Sequence, residues 1–166
     1  MRESLRARVI LLDGEGRILL MKGRLPSDPT APGAWFTVGG GVDPGETLAQ
    51  AAAREIVEET GLTDARLGPV VAYGETVYPD GDNEPLLFKQ TYFVAWTAGG
   101  ATSRDGWLPH EHDLVDDMRW WTVADLAACR EAVYPLELRA MLPDLVAGRL
   151  PATPIVIAYR DPAKAT

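Results

Sequence analysis

The chain has 166 residues, of which 46% are hydrophobic and 24% charged, as in an ordinary globular domain. Its 24 acidic and 16 basic residues give a net charge of −8, which argues against a module that binds a nucleic-acid duplex. The single cysteine, Cys129, precludes an internal disulfide. No apolar run resembles a signal peptide or reaches the length of a membrane span, so we expect a cytoplasmic protein without membrane contact.

The first 40 residues predict three strands. Residues 6–13 and 17–22 are apolar runs separated by Gly-Glu-Gly, a pattern typical of a β-hairpin. Residues 26–33 are rich in Pro, Ser, Asp and Thr and predict a loop. Residues 35–38 then predict a short strand that runs directly into three glycines.

The following segment predicts a helix whose two ends are marked by the sequence. Thr47 and Gln50 form a T-x-x-Q capping box at its start, and Gly61 is a typical residue for its end. Small or apolar residues also recur at helical spacing and predict a narrow face that packs on a sheet. These residues are Ala49, Ala53, Ile56 and Thr60.

The remaining elements are predicted from apolar patterns and turn residues. Strands are expected at residues 70–77, 88–96 and 118–122, with a loop at 79–85. Helices are expected at residues 123–133 and 135–147, and a closing edge strand or tail at 150–158. Because strands and helices mix without a repeat or a linker, we expect one α/β domain over residues 1–166.

Three glutamates on the predicted helix point to metal chemistry. Glu55, Glu58 and Glu59 stand at positions i, i+3 and i+4, so their side chains are expected to share one face, opposite the small residues. Carboxylates this close repel one another and raise each other's pKa values. A hard divalent cation such as Mg²⁺ or Mn²⁺ would relieve that repulsion. Such ions polarise phosphoryl oxygens and lower the pKa of a bound water, which suits hydrolysis of a diphosphate.

The glycines before the helix add a second feature. Gly39, Gly40 and Gly41 let the backbone pass close to a ligand or metal, and a carbonyl oxygen there is a candidate ligand. An Asp-Pro-Gly turn then delivers Glu46 to the start of the helix. Taken alone, an acidic helix face is usually only solvated and a glycine run is only a turn. The spacing of the whole set is what favours a functional site.

Residues 40–62 match the pattern G-x5-E-x7-R-E-U-x-E-E-x-G-U, in which U is a bulky aliphatic residue, at every fixed position. This segment resembles the signature box of the Nudix hydrolases, the MutT-like superfamily. The resemblance implies an α/β/α sandwich around a mixed β-sheet. It also implies hydrolysis of a phosphoanhydride bond in a nucleoside diphosphate linked to another moiety, with water attacking phosphorus.

The resemblance also implies roles for individual residues. Three carboxylates are implied to bind Mg²⁺ or Mn²⁺, those of Glu55, Glu58 and Glu59. One of these carboxylates would also orient or deprotonate the attacking water. Arg54 is implied to pair with a box carboxylate and hold it in place. Glu46 is implied to support the metal site. Gly40 is implied to lie near a metal-binding backbone carbonyl.

Outside the box, family members often add a metal ligand or general base from a later loop. Residues 109–117 are the candidate loop here, and Glu111 is the residue we predict, with His110 and His112 as alternatives. An ordinary hydrated acidic loop is an equally open interpretation.

Substrate contacts are predicted from aromatic and cationic residues. Trp35 and Tyr78 are candidates to stack on a base, and Arg24 is a candidate to meet a phosphate. For each aromatic residue, a place in the core is the competing interpretation. The expected substrate is a small nucleotide-type molecule.

Two other functions share the implied fold. A catalytically silent nucleotide-binding or regulatory module would be expected to lose box acids, and this chain keeps all of them. An isomerase of the isopentenyl diphosphate type would need a cysteine near the glycine strand, and Cys129 lies far downstream. Because members of the family are often dimers, a homodimer is open as well.

Overall fold

The computed structural model describes residues 1–24, 30 and 32–160. Within these residues, eight strands form one mixed sheet. The strands are β1 Arg2–Leu12, β2 Arg17–Gly23, β3 Ala34–Gly41, β4 Arg66–Asp80, β5 Asn83–Trp96, β6 Val115–Thr122, β7 Val133–Tyr134 and β8 Ile155–Val156. The helices are α1 Leu48–Thr60, α2 Pro109–Leu114, α3 Val123–Ala128 and α4 Leu138–Val146.

The central strand is β1, because it pairs antiparallel with β3 on one side and parallel with β5 on the other. The strand order is β6-β2-β3-β1-β5-β4-β8, with β7 beside β3. The C-terminal half of β1 is an unbroken apolar run that is buried on both faces, which is typical of an interior strand.

Helices cover both faces of the sheet. On one face, Ala51, Ala52 and Ile56 of α1 pack on Val9 and Leu11 of β1. On the other face, apolar side chains of α3 and α4 pack on the remaining core residues of β1 and β2. Burial of these apolar surfaces is the main driving force for the fold. The predicted α/β/α sandwich around a mixed sheet is therefore confirmed.

The N-terminal hairpin and most later strands are confirmed, but the connection between β4 and β5 differs from the prediction. In place of a loop over residues 79–85, the strands continue to a two-residue turn, with Asp80 opposite Asn83. The turn residue Gly81 has a φ of +57°, which suits such a tight connection. The proline-rich composition suggested a loop, but long-range pairing along the whole hairpin decided its structure. The predicted loop at residues 26–33 lies largely outside the described residues.

The segment predicted as an acidic loop forms α2 and the start of β6. Pro109 occupies the first turn of α2, where its missing N–H costs nothing. The following helix, α3, is shorter than predicted because the chain leaves it to form β7 beside β3. Helix α4 and the closing strand β8 are confirmed with tighter bounds.

The ends of α1 are as predicted, but its packing face is not. The capping box of Thr47 and Gln50 is present, and Gly61 has the left-handed φ of +73°. However, Ala49 and Ala53 are exposed. The buried residues are Ala51, Ala52, Ile56, Glu59 and Thr60. The prediction failed because it placed every glutamate on the outer face, whereas Glu59 is itself part of the buried face.

None of the helices in the described ranges is both long and apolar enough to cross a bilayer.

The cap of α1 gives a first testable prediction. The Thr47 hydroxyl accepts a hydrogen bond from the Gln50 N–H at 3.1 Å, and the Gln50 side chain accepts one from the Thr47 N–H at 2.9 Å. Thr47→Ala removes the first bond and is expected to lower the free energy of unfolding by about 1 kcal/mol. Thr47→Ser keeps a hydroxyl and should stay within a few tenths of a kcal/mol of the parent. Urea unfolding measures both values, and an equal loss in the two variants would contradict the role of the cap.

Candidate functional site

The glycines at the end of β3 bring α1 close to the sheet. At Gly39 the backbone has a φ of +138°, and a Cβ atom there would lie 2.2 Å from the carbonyl oxygen of Ala7. Only glycine fits this position without a shift of the backbone. A Cβ atom on Gly40 would lie 2.3 Å from Glu55 Oε1. The missing side chain at Gly40 therefore lets the Glu55 carboxylate lie directly against the strand.

Arg54 connects the carboxylates of the site to one another. Its guanidinium donates two hydrogen bonds to Glu46, from Nε at 2.8 Å and from Nη2 at 2.9 Å. Nη1 donates to Glu55 Oε1 at 3.1 Å and to Glu58 Oε2 at 3.0 Å. Nη2 also donates to the carbonyl oxygen of Gly41 at 2.9 Å. One cation therefore fixes three carboxylates and the end of β3, as the resemblance implied for this arginine.

Glu46 is held from two directions. The turn before α1 places its carboxylate so that Oε1 accepts a hydrogen bond from the Asp43 N–H at 3.0 Å. The hydrogen bond from Arg54, with the Asp43 N–H second, lowers the pKa of Glu46 to about 2. In turn Glu46, first among several carboxylates, raises the pKa of Arg54. Both groups therefore stay charged at neutral pH.

Glu59 is a buried carboxylate beside a second carboxylate. Its side chain accepts a hydrogen bond from the Gly39 N–H at 2.9 Å, and only 6% of the residue is exposed. Burial, and after it the charge of Glu55, raises the pKa of Glu59 well above its ordinary value. Burial also raises the pKa of Glu55. A buried pair of this kind favours either a shared proton or a bound cation.

These residues have the chemistry to hold a divalent cation. Their donors are carboxylate oxygens, which Mg²⁺ and Mn²⁺ prefer, and the raised pKa values show that burial of the pair outweighs the nearby positive charges of Arg54 and Arg8. Across the part of the chain that the structure describes, no three His, Cys, Asp or Glu side chains stand together as a ready-made metal site. The reason at this site is that Arg54 lies between Glu55 and Glu58 while Glu59 points to Gly39. A cation would therefore bind with a rearrangement of these side chains.

A segment after β5 supports the far end of α1, and sequence reasoning missed it. The indole N–H of the buried Trp107 donates to the carbonyl oxygen of Glu59 at 2.7 Å. The Ser103 N–H donates to the carbonyl oxygen of Thr60 at 2.8 Å. These bonds satisfy carbonyls that the end of a helix leaves without partners. The signal available in the sequence is the general rule that a buried tryptophan N–H needs an acceptor, and that rule does not identify the carbonyl of Glu59.

The predicted additional ligand lies in α2 and is engaged there. Glu111 Oε2 accepts a hydrogen bond from the Leu108 N–H at 2.9 Å and so caps its own helix. The His112 ring contacts Trp107, with the ring centroids 5.3 Å apart, and His110 is exposed. The structure therefore brings α2 near the end of α1 through Trp107. A metal-binding role for Glu111 stays a prediction.

The three predicted substrate contacts lie in different places. Trp35 is 1% exposed and packs edge-to-face on another tryptophan, so it is a core residue with no free ring face. This corrects its prediction as a stacking residue. Arg24 Nη2 donates to Asp116 Oδ1 at 3.0 Å, at the edge of the sheet formed by β2 and β6. Tyr78 is half-buried on β4, with its ring 4.4 Å from that of Phe88.

Comparison with known proteins agrees with the motif. Residues 3–145 match the family model of the NUDIX domain. The chain is 34% identical over 122 residues to "Nucleoside triphosphatase NudI" of Klebsiella pneumoniae (strain 342), which covers 70% of this chain and 80% of that protein. It is 35% identical over 100 residues to "Putative 8-oxo-dGTP diphosphatase" of Bacillus subtilis (strain 168). That match covers 60% of this chain and spans 58% of the Bacillus protein's length.

The fold resembles a solved structure as well. The MutT protein from Methanosarcina mazei Go1 superposes with a TM-score of 0.59 at 17% sequence identity. The superposition covers 89% of this chain and 95% of that protein. At this level of identity the similarity supports the fold alone.

The contact between Gly40 and Glu55 gives a second prediction. Gly40→Ala forces the Glu55 carboxylate away from β3, because the new Cβ would overlap Oε1. We expect Mn²⁺ affinity to fall at least about tenfold, which corresponds to roughly 1.4 kcal/mol. The loss of unfolding free energy should be small, since the overlapping atoms belong to the end of a flexible side chain. Mn²⁺ titration followed by electron paramagnetic resonance measures the affinity.

Gly41→Ala is the matched control for that variant. A Cβ on Gly41 would find its nearest heavy atom, Nη1 of Arg6, at 3.5 Å, which is an ordinary contact. The control should bind Mn²⁺ like the parent. Equal losses in the two variants would contradict the special position of Gly40.

The raised pKa of Glu59 gives a third prediction, measured without metal. Below the ordinary glutamate pKa, the carboxyl is protonated in both folded and unfolded chains. Between that value and the raised folded pKa, only the unfolded chain releases the proton freely, so stability falls as pH rises. Glu59→Gln keeps an acceptor for the Gly39 N–H and removes this loss. Calorimetry in EDTA should therefore show a melting point a few degrees above the parent at pH 8, where about 1 kcal/mol corresponds to about 2–4 °C.

The same variant should approach the parent's melting point at pH 5. A melting point for Glu59→Gln below that of the parent at pH 8 would contradict the assignment.

Proposed function

Because the chain belongs to the NUDIX domain family, we propose that this hydrolase of acid anhydrides cleaves the phosphoanhydride bond of a nucleoside diphosphate linked to another moiety. Water attacks phosphorus in the proposed reaction. Nucleoside triphosphates belong to this substrate class, since a nucleoside triphosphate is a diphosphate linked to phosphate. The names of the Klebsiella and Bacillus relatives, a nucleoside triphosphatase and an 8-oxo-dGTP diphosphatase, favour testing these first.

The observation that supports this proposal most directly is the set of carboxylates around Arg54. The box acids Glu55, Glu58 and Glu59 lie within two turns of one helix, and Glu55 and Glu59 lie against the glycines of β3. Glu55 and Glu59 are a buried pair whose pKa values are raised, and this pairing is unfavourable for folding. Carboxylates perturbed in this way are concentrated at functional sites. A purely structural helix would gain stability from neutral residues at these positions.

Each residue of the site has a distinct proposed role. Glu55, Glu58 and Glu59 would hold Mg²⁺ or Mn²⁺, with Gly40 at the nearby backbone. When bound, such a cation polarises a phosphoryl oxygen and lowers the pKa of a bound water. Arg54 orients Glu55 and Glu58 through hydrogen bonds from one nitrogen, and Glu46 orients Arg54 through two.

Glu58 is the proposed acceptor of the proton of the attacking water. Its side chain is 49% exposed, against 12% for that of Glu55, and Glu59 is buried. Of the three box acids, Glu58 is therefore the one that solvent reaches most easily. Its hydrogen bond from Arg54 Nη1 keeps it next to Glu55. This arrangement leaves Glu58 accessible while the other two acids remain against the sheet.

The test is hydrolysis of a panel of nucleoside triphosphates, nucleoside diphosphate sugars and dinucleoside polyphosphates with Mg²⁺ and with Mn²⁺. Reactions run in ¹⁸O-water identify the attacked phosphorus by mass spectrometry of the products. We expect ¹⁸O in a product phosphate and no turnover in EDTA. Metal-dependent binding of a panel member without turnover of any would contradict the proposal and favour a silent binding module.

Glu58→Gln gives the fourth prediction. The variant keeps the size of the side chain and removes the proton acceptor, so kcat should fall by at least about 100-fold, within the usual range for acid–base catalysis. The melting point should change little because the side chain is half exposed. Glu75→Gln changes the same charge at an exposed position of β4 and should keep the parent's kcat. Unchanged turnover in Glu58→Gln would remove this residue from the mechanism.

In the proposed function, residues 1–166 form one catalytic domain. A homodimer and a part for Glu111 stay predictions.

A further inference from the structure

Two arginines stand side by side on β1, next to the glycines of the site. Arg6 pairs with Gly41 and Arg8 with Gly39 in the ladder between β1 and β3. Because they are two positions apart on one strand, the side chains of Arg6 and Arg8 lie on the same face of the sheet. This is the face away from α1, since the residue between them, Ala7, packs with the α1 side of the core. Two neighbouring cations here require either internal partners or a ligand.

Arg8 has internal partners. Its Nε donates to Gln90 Oε1 at 3.0 Å, and its Nη1 donates to the carbonyl oxygen of Gly39 at 3.3 Å. The Gln90 amide in turn donates to the Thr76 hydroxyl at 3.2 Å. Because the Gly39 N–H binds Glu59, this network positions the peptide that holds the buried carboxylate. Arg8 is therefore explained by the structure of the site itself.

Arg6 has no such partner within the described ranges. Among the described residues its Nε is buried without a hydrogen-bond acceptor, and the Glu55 carboxylate acts on its guanidinium only through its charge, without an ion pair. Burial first, and the charge of Arg8 second, lower the pKa of Arg6. Folded proteins leave few buried polar groups unpaired, so each unpaired group calls for an explanation. A half-buried guanidinium beside a second one favours a bound anion.

An aromatic platform fixes the orientation of Arg6. Its guanidinium carbon lies 4.0 Å from the centroid of the Phe88 ring, and that ring contacts Tyr78. Stacking on a ring covers one face of the guanidinium and leaves its N–H groups pointing outward in the plane. Planar N–H groups of this kind match two oxygens of one phosphoryl group. The site is thus already ordered for a phosphate ligand.

The position of Arg6 relates it to the carboxylates. A Cβ on Gly41 would lie 3.5 Å from Arg6 Nη1, and a Cβ on Gly40 would lie 2.3 Å from Glu55 Oε1. Successive residues of a strand face opposite sides, so Arg6 and Glu55 flank the same short backbone segment. Neither glycine has a side chain that would separate them. A polyphosphate chain at the end of β3 would therefore have both groups close by, and the charge of Glu55 already acts on Arg6.

We propose that Arg6 binds a phosphoryl group of the substrate's polyphosphate chain, with Phe88 as its platform. This inference rests on the proposed function and adds a phosphate-binding residue on the face of the sheet away from α1. Arg24, the cation that the sequence predicts to meet a phosphate, is already paired with Asp116, and Lys89 is paired with Glu3. Arg54 is occupied by the box carboxylates.

The test is calorimetric titration with imidodiphosphate, a pyrophosphate analogue with a P–N–P bridge, in Mg²⁺ and again in EDTA. We expect Arg6→Gln to weaken binding at least about tenfold in Mg²⁺ because a charged hydrogen bond is lost. Arg6→Lys should fall between the parent and Arg6→Gln, since a lysine keeps the charge without the planar N–H groups. Lys89→Gln, which changes the same charge at a paired lysine on the other face, should bind within twofold of the parent.

Far-ultraviolet circular dichroism and the melting point show whether each variant folds. If Arg6→Gln does not fold, Phe88→Leu tests the same site by removing the platform, and a loss of at least about threefold is expected. Binding within twofold of the parent by a folded Arg6→Gln variant would overturn the proposal. If Phe88→Leu is the variant tested instead, binding within twofold of the parent would overturn it as well. So would an equal loss in Lys89→Gln, or no binding by the parent in Mg²⁺.

The two proposals fail in different ways. Arg6-dependent binding without hydrolysis of any panel substrate would leave the phosphate site in place and overturn the proposed function. Hydrolysis by the parent together with unchanged binding in Arg6→Gln would do the reverse. For a hydrolysed substrate, Arg6→Gln should raise KM more than it lowers kcat, because the contact is made in the bound substrate as well as in the transition state.

Discussion

The site depends on the hydrogen bonds of Arg54, which join three carboxylates that would otherwise repel one another. Arg54 binds Glu46 through two parallel bonds and uses one nitrogen for both Glu55 and Glu58. The pairing with Glu46 is what allows this, because Glu46 comes from the loop before the helix and fixes Arg54 from outside it. Without that external partner, a flexible arginine on a helix surface would gain little from any single carboxylate.

Burial of Glu59 shows how the same site opposes stability. The protein places a carboxylate in its core with one hydrogen bond, from Gly39, and a second carboxylate beside it. That arrangement is unfavourable without a cation, and the stability of the surrounding fold offsets its free-energy cost. The network from Arg8 through Gly39 and the bond from Trp107 to the helix end both fix the backbone around Glu59. Stability and the proposed function therefore place opposite demands on this residue.

The sheet organises the charges on its two faces. On the face of α1, the acids lie against β3. On the opposite face, Arg6 and Arg8 lie on β1 without a carboxylate between them, in a protein whose net charge is −8. Only the backbone of the β3 glycines lies between the acids on one face and the arginines on the other. Acids suited to a cation and an arginine suited to a phosphate thus lie on the two sides of one glycine segment, in a chain that is acidic overall.

The sequence by itself determined the box, the caps of α1, the α/β class and most strands, because these features depend on spacing and on local hydrogen bonds. It placed Glu55, Glu58 and Glu59 on one helix and gave Arg54 a carboxylate partner. Only the tertiary structure decided which face of α1 is buried and that Trp35 belongs to the core. It alone showed that Trp107 contacts the helix end and that, among the described residues, the Nε of Arg6 has no hydrogen-bond partner. Those facts depend on which distant strands and loops meet, and the pattern of neighbouring residues does not contain that information.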